Sequence, residues 1–448
     1  MNLTPAFVRR RFAHRPGLLR ILDNIGWLFF DRVLRMGVGL IVGIWIARYL
    51  GPDRFGALNF AIAFVTLFGA IAGLGLKDIV VRDIVREPQG KDETLGSAAL
   101  LLGSGGLLAY GGILGIIFWL RPEDTLTKML VAIIGSTVLF KFSDVAACWF
   151  ESQVLSKYIV WVQNGSFLVL AAIKVALILN DAPLVSFAWA IMAEALMGAI
   201  LMFVMLAWRG PALRQLRVTL GRAKGLLTDS WPLLLSGIAI LIYMKIDQIM
   251  LGQMVGNEAV GIYSAAVRLS EVWYFIPVMI VTSVFPAILQ ARERSEAEYY
   301  RGLQRLYDLM VLLSLGLALP MTFLSTPVVT LLFGDAFAGA GTVLAIHIWA
   351  AVFVFLGVAS GKWFVAENRQ ILSLRRTALG AVANVALNLV LIPDYGPIGA
   401  AIATVLSYAI ASFLVDVVQQ ETRQMFYMKV KALNLVSSLT RARRWASG

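Results

Sequence analysis

Apolar stretches long enough to cross a lipid bilayer follow one another along almost the whole chain. A transmembrane helix needs about 20 mostly apolar residues. Because lipid offers no hydrogen-bond partner to a bare backbone, such a stretch folds as a helix. The sequence therefore predicts an all-α polytopic membrane protein with about 12 transmembrane helices. We place these spans at residues 25–50, 55–76, 94–120, 127–150, 158–179, 184–207, 231–252, 259–289, 307–333, 341–366, 372–393 and 397–418.

Composition supports a membrane protein and argues against other classes. The chain has 448 residues, of which 59% are hydrophobic and 15% are charged, whereas about 25% of residues are charged in soluble domains. The net charge of +12 does not indicate nucleic-acid binding, because Lys and Arg lie between apolar spans. A single cysteine, Cys148, excludes an internal disulfide, and two histidines without cysteine partners predict no metal site.

The distribution of positive charge predicts the orientation. Residues 1–24 form an arm with five arginines and no apolar signal-peptide core, so we expect a retained cytoplasmic segment. With that start, the inner connections are rich in Lys and Arg, while the outer loops hold only Arg54 and Arg121. Cytoplasmic retention of Lys and Arg sets topology. We therefore expect both termini to be cytoplasmic.

Two similar boundary segments predict an internal repeat. Residues 50–58 (LGPDRFGAL) and 255–263 (VGNEAVGIY) are offset by 205 residues. Six spans in each half would give the halves the same orientation, with a substrate between them. The alternative is that glycine-rich turns recur in any polytopic protein. The predicted division is an arm (1–24), an N-lobe (25–207), a basic cytoplasmic linker (208–230), a C-lobe (231–418) and a basic cytoplasmic tail (419–448).

The connections between spans argue against an enzyme. Every outer loop is short, so none is expected to fold as a catalytic domain, and we predict no catalytic residues. Gly357, Gly361 and Lys362 have the wrong spacing for a phosphate-binding loop, and Trp363 replaces its Ser or Thr. If the chain moves a substrate across the membrane, the energy would then come from an ion gradient or from the substrate gradient itself.

Six short motifs lie at or near the predicted span ends: residues 48–56 (RYLGPDRFG), 73–76 (GLGL), 80–83 (VVRD), 148–151 (CWFE), 245–252 (KIDQIMLG) and 395–401 (YGPIGAA). In these motifs the chain resembles polysaccharide flippases of the Wzx type, which belong to the multidrug, oligosaccharidyl-lipid and polysaccharide (MOP) exporter superfamily. The resemblance runs from about residue 24 to residue 420. It implies two six-helix lobes around a central cavity. It also implies translocation of an undecaprenyl-diphosphate-linked oligosaccharide from the inner to the outer leaflet.

Positive charges inside the spans are the candidate binding groups for this cargo. A charge at the centre of a span costs at least ~3 kcal/mol, so it usually faces a polar pathway or a partner. Arg32, Arg35, Lys245 and Arg268 would offer donors to a diphosphate and to acidic sugars. The alternative is that such residues form ion pairs between helices. Lys174 lies near a span end, where we expect it to reach toward the interface.

Carboxylates inside the spans are the candidates for proton or sodium coupling, or for countercharges. They are Asp31, Glu194, Asp247 and Glu271. Asp31 and Arg35 are four residues apart and can pair along one helix. We expect no other cofactor.

Three readings of the function remain at this stage. The first is a flippase for the repeat unit of O-antigen, capsule or exopolysaccharide, in the bacterial cytoplasmic membrane, working with a polymerase and a chain-length regulator. The second keeps the scaffold but carries a lipid-linked peptidoglycan precursor or a drug; a drug exporter fits poorly because cations outnumber carboxylates in the spans. The third is a membrane glycosyltransferase or polymerase.

Overall fold

A computed structural model of the chain describes residues 16–435, 437–438 and 440–441. Throughout this part of the chain the regular structure is helical, without strands, which confirms the predicted all-α class. Ten helical stretches of the described residues are long and apolar enough to cross a membrane. Most of the predicted arm, residues 1–15, and the end of the predicted tail, residues 442–448, lie outside the described residues.

The chain divides into two compact units. The first holds the residues up to Leu50 together with Ala61–Leu241. Its helices are α1 (Pro16–Gly73, apart from residues 51–60), α2 (Leu76–Arg86), α3 (Lys91–Leu120), α4 (Thr125–Gly135), α5 (Asp144–Ser152), α6 (Ser156–Leu179), α7 (Leu184–Arg209) and the first part of α8 (Leu220–Met254). Because α8 begins at Leu220, the second half of the predicted linker 208–230 is helical.

The second unit holds Gly51–Phe60 and the residues from Ile242 onward. Its helices are the end of α8, α9 (Asn257–Glu271), α10 (Phe275–Arg294), α11 (Glu296–Phe333), α12 (Gly339–His347), α13 (Ala350–Ala366), α14 (Gln370–Ala409), α15 (Val415–Val418) and α16 (Arg423–Leu433). A π-helical turn, Ile410–Leu414, joins α14 to α15. The predicted tail 419–448 therefore contains a helix, and Lys429 in it is fully buried.

Backbone breaks explain why ten stretches are found where twelve are predicted. The first candidate span runs from Gly26 to Arg86 and the last from Gln370 to Val418, both too long for one crossing. Gly51 and Gly396 interrupt the helical backbone within them. Both glycines lie where we predicted one span to end and the next to begin. The number twelve stays a prediction.

The two similar boundary segments contact each other within the second unit. Gly51 and Gly256, 205 residues apart, both have positive φ, at 71° and 126°, a conformation that favours glycine. A Cβ atom on Gly56 would lie 1.7 Å from the backbone oxygen of Asn257, and one on Gly261 would lie 2.0 Å from that of Pro52. Gly56 and Gly261 are 205 residues apart, and so are the residues that they contact, Pro52 and Asn257. The contact is thus reciprocal, as expected of a repeat.

Buried ion pairs hold the end of the second unit together. Lys429 donates to Asp416 at 2.6 Å, and both side chains are almost fully buried. Arg441 donates two hydrogen bonds of 2.7 Å to the buried carboxylate of Asp308 on α11. These bonds to Asp308 raise the pKa of Arg441 above its ordinary value. Since removing one partner of a buried pair strands the other charge, these contacts fix α16 and the segment after it against the membrane helices.

We expect Gly56→Ala and Gly261→Ala each to lower the stability of the protein by about 1–3 kcal/mol, because the added methyl group overlaps backbone that cannot move aside. Thermal unfolding of the purified protein in detergent measures the loss. Gly165→Ala is the matched control, because nothing lies within 4 Å of a Cβ there. Equal melting temperatures for all three variants would contradict the reciprocal contact.

Candidate functional site

A buried carboxylate, Asp247, is the centre of a hydrogen-bonded cluster in the second unit. Its side chain is 3% exposed. It accepts hydrogen bonds from Tyr263 at 2.7 Å, from Thr404 at 2.6 Å and from the amide of Asn388. These partners come from α9 and from both sides of the Gly396 break in α14. The break thus allows Asn388 and Thr404 to reach the same carboxylate.

A second layer of amides and hydroxyls surrounds this carboxylate. Asn388 also donates to Asn384 at 3.2 Å, and Asn384 donates to Ser407 at 3.3 Å. Asn384 and Asn388 are both fully buried. The side-chain oxygen of Asn388 has no hydrogen-bond partner within the described residues. A buried acceptor of this kind is costly unless a donor or a cation satisfies it.

The oxygen atoms of this cluster are of the kinds that a small hard cation binds. Asp247, Asn388, Asn384 and Thr404 supply a carboxylate, two amide oxygens and a hydroxyl, which are the ligand types that such cations prefer. Only one of the groups carries a formal charge, so the set matches a monovalent ion or a proton better than a divalent metal. Among the residues that the structure describes, no group of three or more His, Cys, Asp and Glu side chains is placed to hold a metal ion.

Arg268, on α9 of the same unit, is a cation with spare hydrogen-bonding capacity. Its guanidinium group lies 5.7 Å from the centre of the Phe55 ring. The Nη1 atom is buried and has no hydrogen-bond partner among the described residues. Glu271 follows one turn later, and its charged neighbours are Arg268, Lys245 and Asp247. Lys245, Asp247 and Arg268 thus lie within electrostatic range of Glu271, the fourth predicted site residue of this unit.

A tyrosine and a serine of the same unit also lack partners. The hydroxyl groups of Tyr243 and Ser264 are buried without a hydrogen bond to any described residue. Beside them, Ser270 and His347 are 2.9 Å apart. Hydroxyls can donate or accept, so these groups, like Arg268 Nη1, have hydrogen-bonding capacity that no described residue uses.

The remaining predicted residues lie in the first unit. Arg35 donates to Asp31 at 3.0 Å, as predicted from their spacing, and its guanidinium carbon lies 5.1 Å from the centre of the Phe167 ring. Arg32 is exposed. Asp31 is therefore a countercharge for Arg35 in this structure, while Arg32 adds further positive charge to the same helix.

Glu194 forms an ion pair with Lys174, a residue that we expected to reach toward the membrane interface. Lys174 on α6 donates to Glu194 on α7 at 2.8 Å, and the side chains are only 14% and 24% exposed. The prediction that Lys174 reaches to the membrane interface was therefore wrong. An opposite charge on the neighbouring helix satisfies its ammonium group better than an extended path to water does.

Four polar residues of the Asp247 cluster were not predicted from the sequence: Tyr263, Asn388 and Thr404, which donate to Asp247, and Asn384, which accepts from Asn388. One signal was available, because Asn384 and Asn388 are four residues apart within an apolar span and must share a helix face. The other two partners are uncharged residues of ordinary appearance. A charge inside an apolar span is visible in the sequence, whereas its uncharged hydrogen-bond partners are not.

This fold is that of membrane transporters of the MOP superfamily. An inward-facing multidrug resistance transporter of the MATE family superposes with a TM-score of 0.68 and 17% identity, covering 89% of this chain and 95% of the other. The lipid II flippase MurJ, in an inward closed conformation, gives the same TM-score at 14% identity, covering 92% of this chain and 91% of its own.

The chain belongs to the polysaccharide biosynthesis protein family, whose model matches residues 21–292. The MatE family model matches residues 232–390. The chain is 24% identical over 410 residues to the probable low-salt glycan biosynthesis flippase Agl15 of Haloferax volcanii, covering 86% of this chain and 81% of that protein. It is 30% identical over 178 residues to the probable flippase AglR of the same organism, covering 38% and 37%.

These comparisons confirm the resemblance noted in the sequence, that of a polysaccharide flippase in the MOP superfamily. The relatives that match over most of this chain are named as flippases or transporters, in line with the expected transporter. With ten apolar helices in the described residues, it is a multi-pass membrane protein.

We expect Glu194→Leu to destabilise the protein by about 1.5–3 kcal/mol, because it leaves the ammonium group of Lys174 without its charged partner. The double variant Lys174→Leu/Glu194→Leu removes both charges and should regain most of the loss. Melting temperatures in detergent measure both effects. Glu421→Leu, at the exposed pair with Arg369, is the control and should change little. An undiminished melting temperature in Glu194→Leu would show that the pair contributes nothing.

Proposed function

We propose that this protein translocates an undecaprenyl-diphosphate-linked oligosaccharide from the inner to the outer leaflet of the bacterial cytoplasmic membrane by alternating access. The cargo is a repeat unit of O-antigen, capsule or exopolysaccharide. The observation that carries this proposal is Arg268, whose buried Nη1 atom has no partner among the described residues while Lys245 adds a second cation nearby. Flippase relatives and the MOP fold support a lipid-linked glycan as cargo.

The chemistry of the cargo explains why cations are needed inside the membrane. A diphosphate entering hydrocarbon unaided would lose its hydration at a cost of tens of kcal/mol in the idealised limit. A guanidinium group presents a planar fork of donors that binds two phosphate oxygens at once. Arg268 and Lys245 would replace water around the headgroup, while Arg32 and Arg35 would serve the same purpose in the first unit. The lipid chains would remain in the bilayer.

The same arrangement favours an anionic cargo over a drug. Many drugs that are exported are cationic. In the second unit, Lys245 and Arg268 face the carboxylates of Asp247 and Glu271. A proton or ion bound at Asp247 would neutralise that carboxylate and leave the cations in excess. A lipid-linked peptidoglycan precursor also carries a diphosphate, and MurJ, a lipid II flippase, shares the fold. That cargo is the second candidate, and only the sugar bound beyond the diphosphate distinguishes the two.

The Asp247 cluster supplies the site for a coupling ion. A carboxylate that is 3% exposed and an unpartnered Asn388 oxygen can both be satisfied by sodium or by a proton. Tyr263 and Thr404 orient the carboxylate through their hydrogen bonds. Binding of the ion would remove one negative charge near Arg268 and Glu271. The ion and the diphosphate would then influence each other's affinity, which is the requirement for coupling.

The cellular setting belongs to the same proposal. Both termini would be cytoplasmic, because Lys and Arg are concentrated in the connections on that side. The flipped repeat unit would pass to a polymerase and a chain-length regulator at the outer face.

We expect Arg268→Ala to lower translocation of lipid-linked oligosaccharide by roughly tenfold or more, since a charged hydrogen bond contributes about 1.5–3 kcal/mol. The assay follows transfer of fluorescently labelled oligosaccharide lipid between leaflets of proteoliposomes. Arg268→Lys should retain part of the activity. Arg54→Ala removes an exposed arginine of the same unit and is the control. Wild-type rates in Arg268→Ala would reject the binding role.

We expect Asp247→Asn to abolish the dependence of transport on a sodium or proton gradient, because the amide has the shape of the carboxylate but no charge. In the wild type, the melting temperature should rise with sodium if sodium is the ion, or change with pH if it is a proton. Either dependence should disappear in the variant. Asp335→Asn, at an exposed position, is the control. A gradient response that survives in Asp247→Asn would place the ion elsewhere.

A further inference from the structure

A cavity opens between two consecutive helices of the second unit, and none of the candidate site residues lines it. α10 and α11 are joined by one residue, Ser295, whose hydroxyl accepts a hydrogen bond of 3.1 Å from the backbone N–H of Glu298. The turn is therefore tight and the helices form a hairpin. The cavity between them has a volume of about 470 Å³, within the range of small-molecule sites.

One part of this cavity is apolar. α10 contributes side chains at a helical spacing of three and four residues, and α11 contributes two leucines. These residues are Val284, Ala287, Ile288, Ala291, Leu306 and Leu309. Val284 and Ala287 are exposed, so the wall is accessible from outside the protein.

The other part of the cavity is charged and lies nearer the turn. Glu298, Arg301 and Arg305 line it from α11. The two arginines are four residues apart and share a helix face. The Arg301 side chain is 66% exposed, donates one hydrogen bond to the Ala297 carbonyl at 3.3 Å and lies 3.8 Å from Glu298. A guanidinium group has five N–H donors, so Arg301 has donors left for a ligand.

The length of α11 places these two parts at different depths. Its 38 residues would span about 57 Å, longer than the ~30 Å hydrocarbon core. Residues 309–333 contain no charged side chain, so the excess length lies at the end near Ser295. Arg301 and Arg305 thus lie at the level of lipid headgroups. Leu309 and Val284 lie at the level of the lipid chains.

We propose that this hairpin groove binds an anionic glycerophospholipid, with its phosphate at Arg301 and Arg305 and its acyl chain along the apolar wall. A free anion would leave the apolar part unused. The charged lining sums to one net positive charge, which matches the single negative charge of a phosphodiester. A lipid-linked diphosphate carries more negative charge and would face Glu298. The groove is built from other residues than Lys245 and Arg268, so it does not depend on the proposed function.

Native mass spectrometry of the full-length protein in detergent tests this proposal, with phosphatidylglycerol, phosphatidylcholine and undecaprenyl diphosphate as separate probes at equal concentration. We expect phosphatidylglycerol to bind roughly tenfold more tightly than phosphatidylcholine, the ratio that about 1.4 kcal/mol gives. Arg301→Gln/Arg305→Gln should remove this preference. Ala287→Phe fills the apolar part and should weaken phosphatidylglycerol binding without a change of charge. Transport is not measured, so the outcome is separate from that of the flippase assays.

Arg294→Gln/Arg375→Gln is the matched control, because it removes two exposed arginines of the same unit that do not line the groove. It should keep the preference for phosphatidylglycerol. Equal binding of phosphatidylglycerol to both double variants would overturn the proposal. So would a stronger, Arg301-dependent binding of undecaprenyl diphosphate, which would make the groove an entry site for the cargo.

Discussion

Charge in an apolar medium needs a partner, and the buried contacts of this protein follow from that requirement. An unpaired ion in hydrocarbon costs several kcal/mol. Lys174 is paired with Glu194, and Lys429 with Asp416. Each pair joins two helices, so satisfying the charges also fixes the helices against each other. Contact with lipid does not determine which apolar helices pack together. The ion pairs do so for these helices.

Several buried polar atoms lack a partner among the described residues, and two of them belong to the candidate site. The Nη1 atom of Arg268 and the side-chain oxygen of Asn388 are buried without partners among the described residues. One is a donor and the other an acceptor, so they suit an anion and a cation respectively. A transporter must bind its cargo and its coupling ion in one state and release them in another. Under the proposed function, the cargo and the ion would supply the missing partners in one state of that cycle.

In the repeated glycine segments, close backbone packing is a second type of interaction that joins helices. At Gly56 and Gly261 the absence of a side chain lets two backbones approach until each glycine meets a carbonyl of the other segment. Such close contacts gain from packing and from weak Cα–H···O bonds where hydrophobic attraction between helices is absent. The 205-residue offset in the sequence thus corresponds to a physical contact in which both copies make the same interaction.

The sequence by itself determined the features that depend on local spacing. Apolar length predicted the helices, and the four-residue interval predicted the Asp31–Arg35 pair, because helical geometry fixes both. It also predicted Asp247 and Arg268 as candidate site residues. Only the tertiary structure decided what surrounds them: Asn388 and Thr404 lie 141 and 157 residues from Asp247 along the chain. Contacts over such separations depend on how helices pack, and apolar spans of similar composition carry no local signal of which faces will meet.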